Sequence, residues 1–150
     1  MRVLIQRVSS ARVDVDGTCV GQIGQGLLLL VSAAPEDTQA DVDYLAEKIG
    51  NLRVFADDEG KMNRSALEGG REILVVSQFT LHANVRKGRR PSFIGAAPSD
   101  IAEPLVESLA ESFRNMDIGV ATGSFGAEMA VSLVNDGPVT IWMDTVELRG

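Results

Sequence analysis

Apolar positions recur along this chain with two periods, and the two-residue period dominates. Met1 to Ser9 reads as a strand, with Val3, Ile5 and Val8 marking its buried side in rough alternation. Ala11 to Val15 and Thr18 to Ile23 alternate on either side of Asp16-Gly17, the strongest short-range signal for a hairpin. Gly24 and Gly26 lead into Leu27 to Ser32, a continuous apolar run that predicts a strand buried on both faces. Pro35-Glu36-Asp37 closes it. The helical period then takes over from Thr38 to Leu52, where Val42, Leu45, Ile49 and Leu52 form one face. Thr38 and Asp41 have capping-box spacing, with Asp in place of the preferred Glu or Gln. Arg53-Val54-Phe55 predicts a short strand, and Asp57 to Lys61 a turn. That turn lacks the alternating ligands and terminal Glu of a calcium loop, so its acids read as solvated.

Glu72 to Phe79 is a second strongly apolar strand, followed by a loop from His82 to Pro98 rich in Arg, Gly, Pro and Ala. Ile101, Leu105, Leu109 and Phe113 predict a second helix ending near Met116. A proline deep in a helix loses a backbone bond, so regular helix is predicted to begin at Pro104. Ile118 to Thr122, Glu128 to Asn135 and Val139 to Leu148 read as strands, the last two joined by a turn at Asp136-Gly137-Pro138. Strands outnumber helices, and the helices come singly. The pattern predicts one α+β domain over residues 1–150: a curved, partly closed, barrel-like sheet with two flanking helices.

Composition refines this picture. Apolar residues make up 45% of the 150 and aromatics only 5%, so the core must be aliphatic. The longest apolar run is too short to span a bilayer, and the opening residues lack a signal-peptide pattern. Cys19 is the one cysteine, which excludes an internal disulfide. It reads as a small strand residue, and the cytoplasm as the natural compartment.

The formal net charge is −7, which argues against a general nucleic-acid binder. Against that background, Arg86-Lys87-Gly88-Arg89-Arg90 places four cations in five residues. They read either as a solvated loop or as a patch for RNA phosphates. There is no phosphate loop, no GxGxxG, no GxSxG and no metal-ligand spacing, so no cofactor or metal is expected. His82 is the only histidine. Ser77-Gln78-Phe79-Thr80 places hydroxyls and an amide where an apolar strand meets a loop, a place suited to binding groups or simply to polar caps. A Ser77–His82 catalytic pair needs both side chains to converge, yet a continuing strand would put them on opposite faces. Asn135-Asp136-Gly137-Pro138-Val139-Thr140 reads as a tight turn, or as a rigid wall of carbonyls if the Gly137–Pro138 bond is cis. Only about 5–6% of X–Pro bonds in folded proteins are cis, so residue type alone predicts trans.

Taken together, these segments resemble the D-aminoacyl-tRNA deacylases, formerly D-Tyr-tRNA deacylases. The resemblance runs essentially end to end. It is carried by Met1 to Val8, by Gly60-Lys61-Met62-Asn63-Arg64-Ser65, and by Arg86 to Phe93. Two signature motifs are intact: Ser77-Gln78-Phe79-Thr80-Leu81 and Asn135-Asp136-Gly137-Pro138-Val139-Thr140.

The resemblance implies hydrolysis of the ester of D-aminoacyl-tRNA, and of glycyl-tRNA, with L-aminoacyl-tRNA rejected. It implies a homodimer whose two sites each join the Ser77–Thr80 segment of one subunit to a cis Gly137–Pro138 motif of the other. Arg7 matches the arginine that braces this motif, and Phe125 and Met129 match pocket-lining positions. Main-chain N–H groups near Phe79 and Thr80 would then stabilise the oxyanion, with help from the ribose 2′-hydroxyl, so the partner is tRNA and not DNA. Two other readings compete: a serine esterase using Ser77, and a non-catalytic RNA-binding dimer using Arg86, Lys87, Arg89 and Arg90.

Overall fold

The computed structural model describes residues 1–150. Eight strands and three helices follow one another as β1 (Arg2–Val15), β2 (Thr18–Ile23), β3 (Gly26–Ser32), α1 (Gln39–Gly50), β4 (Phe55–Ala56), β5 (Met62–Arg64), β6 (Glu72–Ser77), α2 (Ser99–Asn115), β7 (Gly119–Thr122), β8 (Ala130–Asp144) and α3 (Thr145–Arg149). The main sheet runs β2-β1-β3-β6-β7, with β8 on the other side of β1. The β3–β6 and β6–β7 pairs are parallel, and the pairs involving β1 are antiparallel.

The continuous apolar runs explain the layering. Leu27, Leu29, Val31, Ile73 and Val75 face a core shared with α1 and α2, where Leu45, Ile49, Leu109 and Phe113 are fully buried. The alternate residues Leu28, Leu74 and Val76 point the other way, into a smaller core with Val8, Ala11, Val13 and Ile23. A strand apolar at every position must be covered on both sides, and helices cover one side while the curled sheet covers the other. Curling brings β2 against β7. A Cβ at Gly21 would collide with the backbone oxygen of Thr122, so only glycine allows this closure.

The hairpin between β1 and β2 turns at Asp16 and Gly17, with φ of 49° and 77°. The capping box of α1 forms: the Asp41 carboxylate accepts from the Thr38 N–H at 2.9 Å. Several expectations need correction. β1 is one strand through Ser9 and Ser10, where the pattern suggested two. β6 ends at Ser77, and Phe79–His82 forms a 3₁₀ turn instead of continuing the strand. α2 begins at Ser99 and not at Pro104. Pro104 lies on its exposed face, where water can take up the carbonyl freed by the missing N–H, while Ala102 is already buried. β8 replaces the two final strands and their turn, and the chain then leaves the sheet at Asp144. The Asp144 carboxylate accepts from the Val146 N–H at 2.9 Å and starts α3, a helix the strand pattern had masked.

Closure at Gly21 is directly testable. Gly21→Ala should destabilise the fold by about 1–3 kcal/mol, because rigid backbone, and not a flexible side chain, blocks the added methyl. Chemical denaturation measures this, and an unchanged midpoint would contradict the proposed closure.

Candidate active site

Where β6 ends at Ser77, its burial ends too. The Gln78 N–H still continues the parallel register, donating to Val31 O at 2.7 Å. Beyond it lies a cleft of about 510 Å³. Its floor holds Ser77 and Gln78, with Phe79 at the rim. One wall is the loop entering α2, tied down by the Ala97 N–H on Ala33 O at 2.8 Å. Phe125 and Met129 also line it, on a segment fixed by the Gly123 N–H on Val75 O at 3.0 Å. Phe79 remains 56% exposed and packs edge-on against Phe93, ring centroids 5.1 Å apart. No Asp, Glu, Lys, Arg or His lines the cleft.

Within the 3₁₀ turn, Leu81 donates the first closing bond, to Gln78 O at 3.1 Å. The Phe79 and Thr80 N–H groups precede it, so they are outside the turn's own bonding. The Thr80 hydroxyl pairs with the Gln78 side-chain amide. His82 does not approach the chemistry of Ser77 as a base. Its Nδ1 lies 2.6 Å from the hydroxyl of Ser32, a buried residue at the end of β3.

The second motif lies apart from this cleft. Gln6 pairs with Thr140 and Val8 with Asn135, so four residues, Asp136 to Val139, stand opposite Arg7 alone. This is an excursion within one strand and not the simple turn expected. Arg7 Nε donates to Asp136 O at 3.0 Å and Nη1 to Val54 O at 2.7 Å. Asn135 clamps the base of the excursion: its amide donates to the Thr140 hydroxyl at 2.9 Å and its carbonyl accepts from the Val139 N–H at 3.0 Å. The Gly137–Pro138 bond is cis, and both residues are exposed. None of Arg7, Asn135, Gly137, Pro138, Val139 and Thr140 lines the cleft.

Arg86, Lys87, Arg89 and Arg90 occupy an exposed hairpin tip closed by the Asn84–Ser92 bridge, with bonds of 2.7 and 2.9 Å. None of the four makes an ion pair. Phe93 follows directly, so the basic tip is anchored beside Phe79. A second, larger opening of about 750 Å³ is lined by Glu103, Glu107 and Glu111 on α2. Those carboxylates repel phosphate, which makes it the poorer site for a nucleotide. No three His, Cys, Asp or Glu side chains come together to hold a metal, and no helix is long and apolar enough to cross a membrane.

The structure thus brings Ser77, Gln78, Phe79, Phe125 and Met129 into one cleft and gathers the Gly-Pro segment around Arg7. Sequence reasoning missed Phe93, the Ala97 wall and Ser32. Ser32 had a signal, being the polar residue that ends the Leu27–Val31 run, whereas the Ala97 wall has none.

The cleft offers hydroxyls and a side-chain amide but no ionisable residue, and Thr80 lies outside its lining. Comparison with known proteins supplies the class. Residues 4–144 match the family model described as D-Tyr-tRNA(Tyr) deacylase. A D-aminoacyl-tRNA deacylase of Thermomicrobium roseum is 61% identical over 150 residues, covering all of this chain and 97% of that one. One from Roseiflexus castenholzii is 58% identical, covering 99% and 95%. Among solved structures, one titled c-Myc DNA Unwinding Element Binding Protein superposes with a TM-score of 0.89 at 41% identity, covering 96% of this chain and 98% of that one. Another, titled a probable eukaryotic D-amino acid tRNA deacylase, shares the fold with a TM-score of 0.81 at 18% identity, covering 95% and 97%. The chain belongs to the D-Tyr-tRNA(Tyr) deacylase family. It is an enzyme, a hydrolase of the D-aminoacyl-tRNA deacylase class.

Burial, Arg2 and the N-terminal ammonium push the His82 ring below its ordinary pKa, outweighing Asp37 and Asp144. The unfolded chain therefore binds a proton more readily there. The stability this represents is complete above the unfolded value of about 6.5 and is lost as pH falls through the folded one. Titration of the His82 ring signals by NMR should show a midpoint under about 6.5. A midpoint at or above it would contradict this account of the ring's surroundings.

Proposed function

We propose that this enzyme hydrolyses the ester between a D-amino acid and the terminal ribose of tRNA, in the cytoplasm, and that it spares the L form. The observation that carries this reading is the cleft's lack of any ionisable residue. Ester hydrolysis passes through a tetrahedral oxyanion, and one preorganised donor to such a charge is worth about 3–4 kcal/mol. The Phe79 and Thr80 N–H groups are the donors proposed here, with Gln78 and the Thr80 hydroxyl orienting the substrate. Acid–base help is assigned to the substrate's own 2′-hydroxyl, which makes RNA a requirement. A serine-esterase mechanism at Ser77 is disfavoured, because the single histidine is engaged by Ser32.

Chirality is assigned to the Gly137–Pro138 carbonyls of a second copy of the chain, placed over the cleft of the first. The motif is exposed and lies outside its own cleft, as a segment destined for a partner's cleft would. Anchored by its ammonium and ester, an L-amino acid would direct its side chain into those carbonyls, whereas a D-amino acid would direct it outward. Glycine has no side chain to reject, so glycyl-tRNA is included as a substrate. Arg86, Lys87, Arg89 and Arg90 would hold the tRNA backbone.

Release of tyrosine from D-Tyr-tRNA and L-Tyr-tRNA should differ sharply, with only the D ester consumed. Equal loss of both would reinstate a general esterase, and loss of neither would favour a binding module. Gly137 adds a sharper test. Its φ is +133°, and a Cβ there would sit 2.9 Å from Arg7 Nη2 and 3.0 Å from Val139 Cγ2. Gly137→Ala should reduce turnover of D-Tyr-tRNA by about tenfold or more by displacing the carbonyls. Unchanged turnover would contradict the wall.

A further inference from the structure

Ser32 ends β3 with a hydroxyl that is almost fully enclosed, the residue being 2% exposed. Two groups of the Phe79–His82 turn reach its oxygen. His82 Nδ1 lies at 2.6 Å and the Phe79 carbonyl oxygen at 3.3 Å. A hydroxyl carries one proton, and a carbonyl can only accept. The Phe79 contact is therefore a hydrogen bond only when that proton points at it, and His82 Nδ1 must then donate to Ser32. In the reverse arrangement, Ser32 gives its proton to a bare Nδ1 and the Phe79 carbonyl loses this partner. Both contacts are satisfied in one tautomer alone.

We propose that Ser32 and His82 are positioning residues of the active site, forming a relay from His82 Nδ1–H through Ser32 Oγ–H to the Phe79 carbonyl that sets the direction of the Phe79–Thr80 peptide. This rests on the role proposed above for the Thr80 N–H. The Phe79–Thr80 peptide is trans, Gly137–Pro138 being the cis bond of the chain. In a planar trans peptide the C=O and N–H point in opposite directions. Holding the Phe79 oxygen against Ser32 therefore aims the Thr80 N–H away from it. A second tie steadies the same turn: Arg2 Nη1 donates to Leu81 O, while Arg2 Nε is held by Asp144, each at 3.0 Å. Of the charges around His82, Arg2 and the N-terminal ammonium disfavour the imidazolium, and burial adds to them. Asp37 and Asp144 pull the other way and do not prevail. Near neutral pH the ring is uncharged, so its tautomer decides whether the relay is made.

Nitrogen NMR of the wild-type enzyme reads the tautomer without any substitution. A proton on Nδ1 is expected, and a ring protonated only on Nε2 overturns the relay. Ser32→Ala should lower kcat on D-Tyr-tRNA by about tenfold with KM little changed, as expected for a misdirected transition-state donor, and His82→Phe should lower it less, because Ser32 can still donate to the Phe79 carbonyl. His82→Asn should stay close to wild type, because its amide can donate from the position of Nδ1. A merely structural role would lower the melting temperature of all three while sparing kcat. The Thr80 amide signal separates this proposal from the reading beneath it. If that signal is unmoved in Ser32→Ala, the relay is wrong. If it moves while kcat stays unchanged, the relay stands and the oxyanion role of the Thr80 N–H fails.

Discussion

The parallel pair β3–β6 is the element on which the rest of the architecture depends. Both strands are apolar at consecutive positions, so each must be buried from two sides at once. One side requires α1 and α2. The other requires the sheet to curl until β2 meets β7 at Gly21. The two strands also end at the same level, Val31 beside Ser77. At that level apolar cover stops on β6 and polar main chain becomes available. The cleft is thus a consequence of how the core is closed.

A second constraint acts through β1, which serves both cores. Val3 and Ile5 belong to the larger one, and Val8, Ala11 and Val13 to the smaller. The strand shifts phase between Val8 and Ala11, and its register with β8 breaks there and also at Arg7. The excess chain on β8 is the Gly137–Pro138 excursion, and the guanidinium that fills the break also holds it. The Asn135–Thr140 segment therefore coincides with a structural irregularity of the sheet. The excursion is held on the exposed surface, outside its own cleft, which is the geometric basis for proposing that a partner's cleft receives it.

Much of this was legible in the sequence. The apolar runs at Leu27 and Ile73, the hairpin at Asp16-Gly17 and the face of α1 are local patterns, and they appear where period and turn chemistry placed them. The segments Ser77–Thr80 and Asn135–Thr140 were recognisable as motifs, and only the resemblance implied that they act from different subunits. The excursion that holds the second one apart depends on the register break at Arg7, which strand periodicity alone does not reveal. Pro104 and Asp144 misled for a similar reason: neighbours in the fold, and not in the chain, decide whether a helix starts before a proline or a strand stops at an aspartate. Ser32 carried only the signal of a polar residue ending an apolar run, because its partner, His82, is far away in sequence.

The central claim is that the cleft of one chain is completed by the Gly137–Pro138 carbonyls of another. Subunit mixing tests it most directly. Phe79→Pro removes one candidate oxyanion N–H at the first position of a turn, where proline is tolerated. Gly137→Ala disturbs the carbonyl wall and leaves the cleft intact. Each variant alone should turn over D-Tyr-tRNA about tenfold or more slowly than the wild type. After the two are unfolded and refolded together, one site of each mixed pair regains both intact halves. The account predicts recovery of about a quarter of the wild-type rate, since a two-fold pair has two equivalent sites. Absence of any recovery, with mixed pairs shown to have formed, would mean that cleft and wall belong to the same chain and would contradict the account.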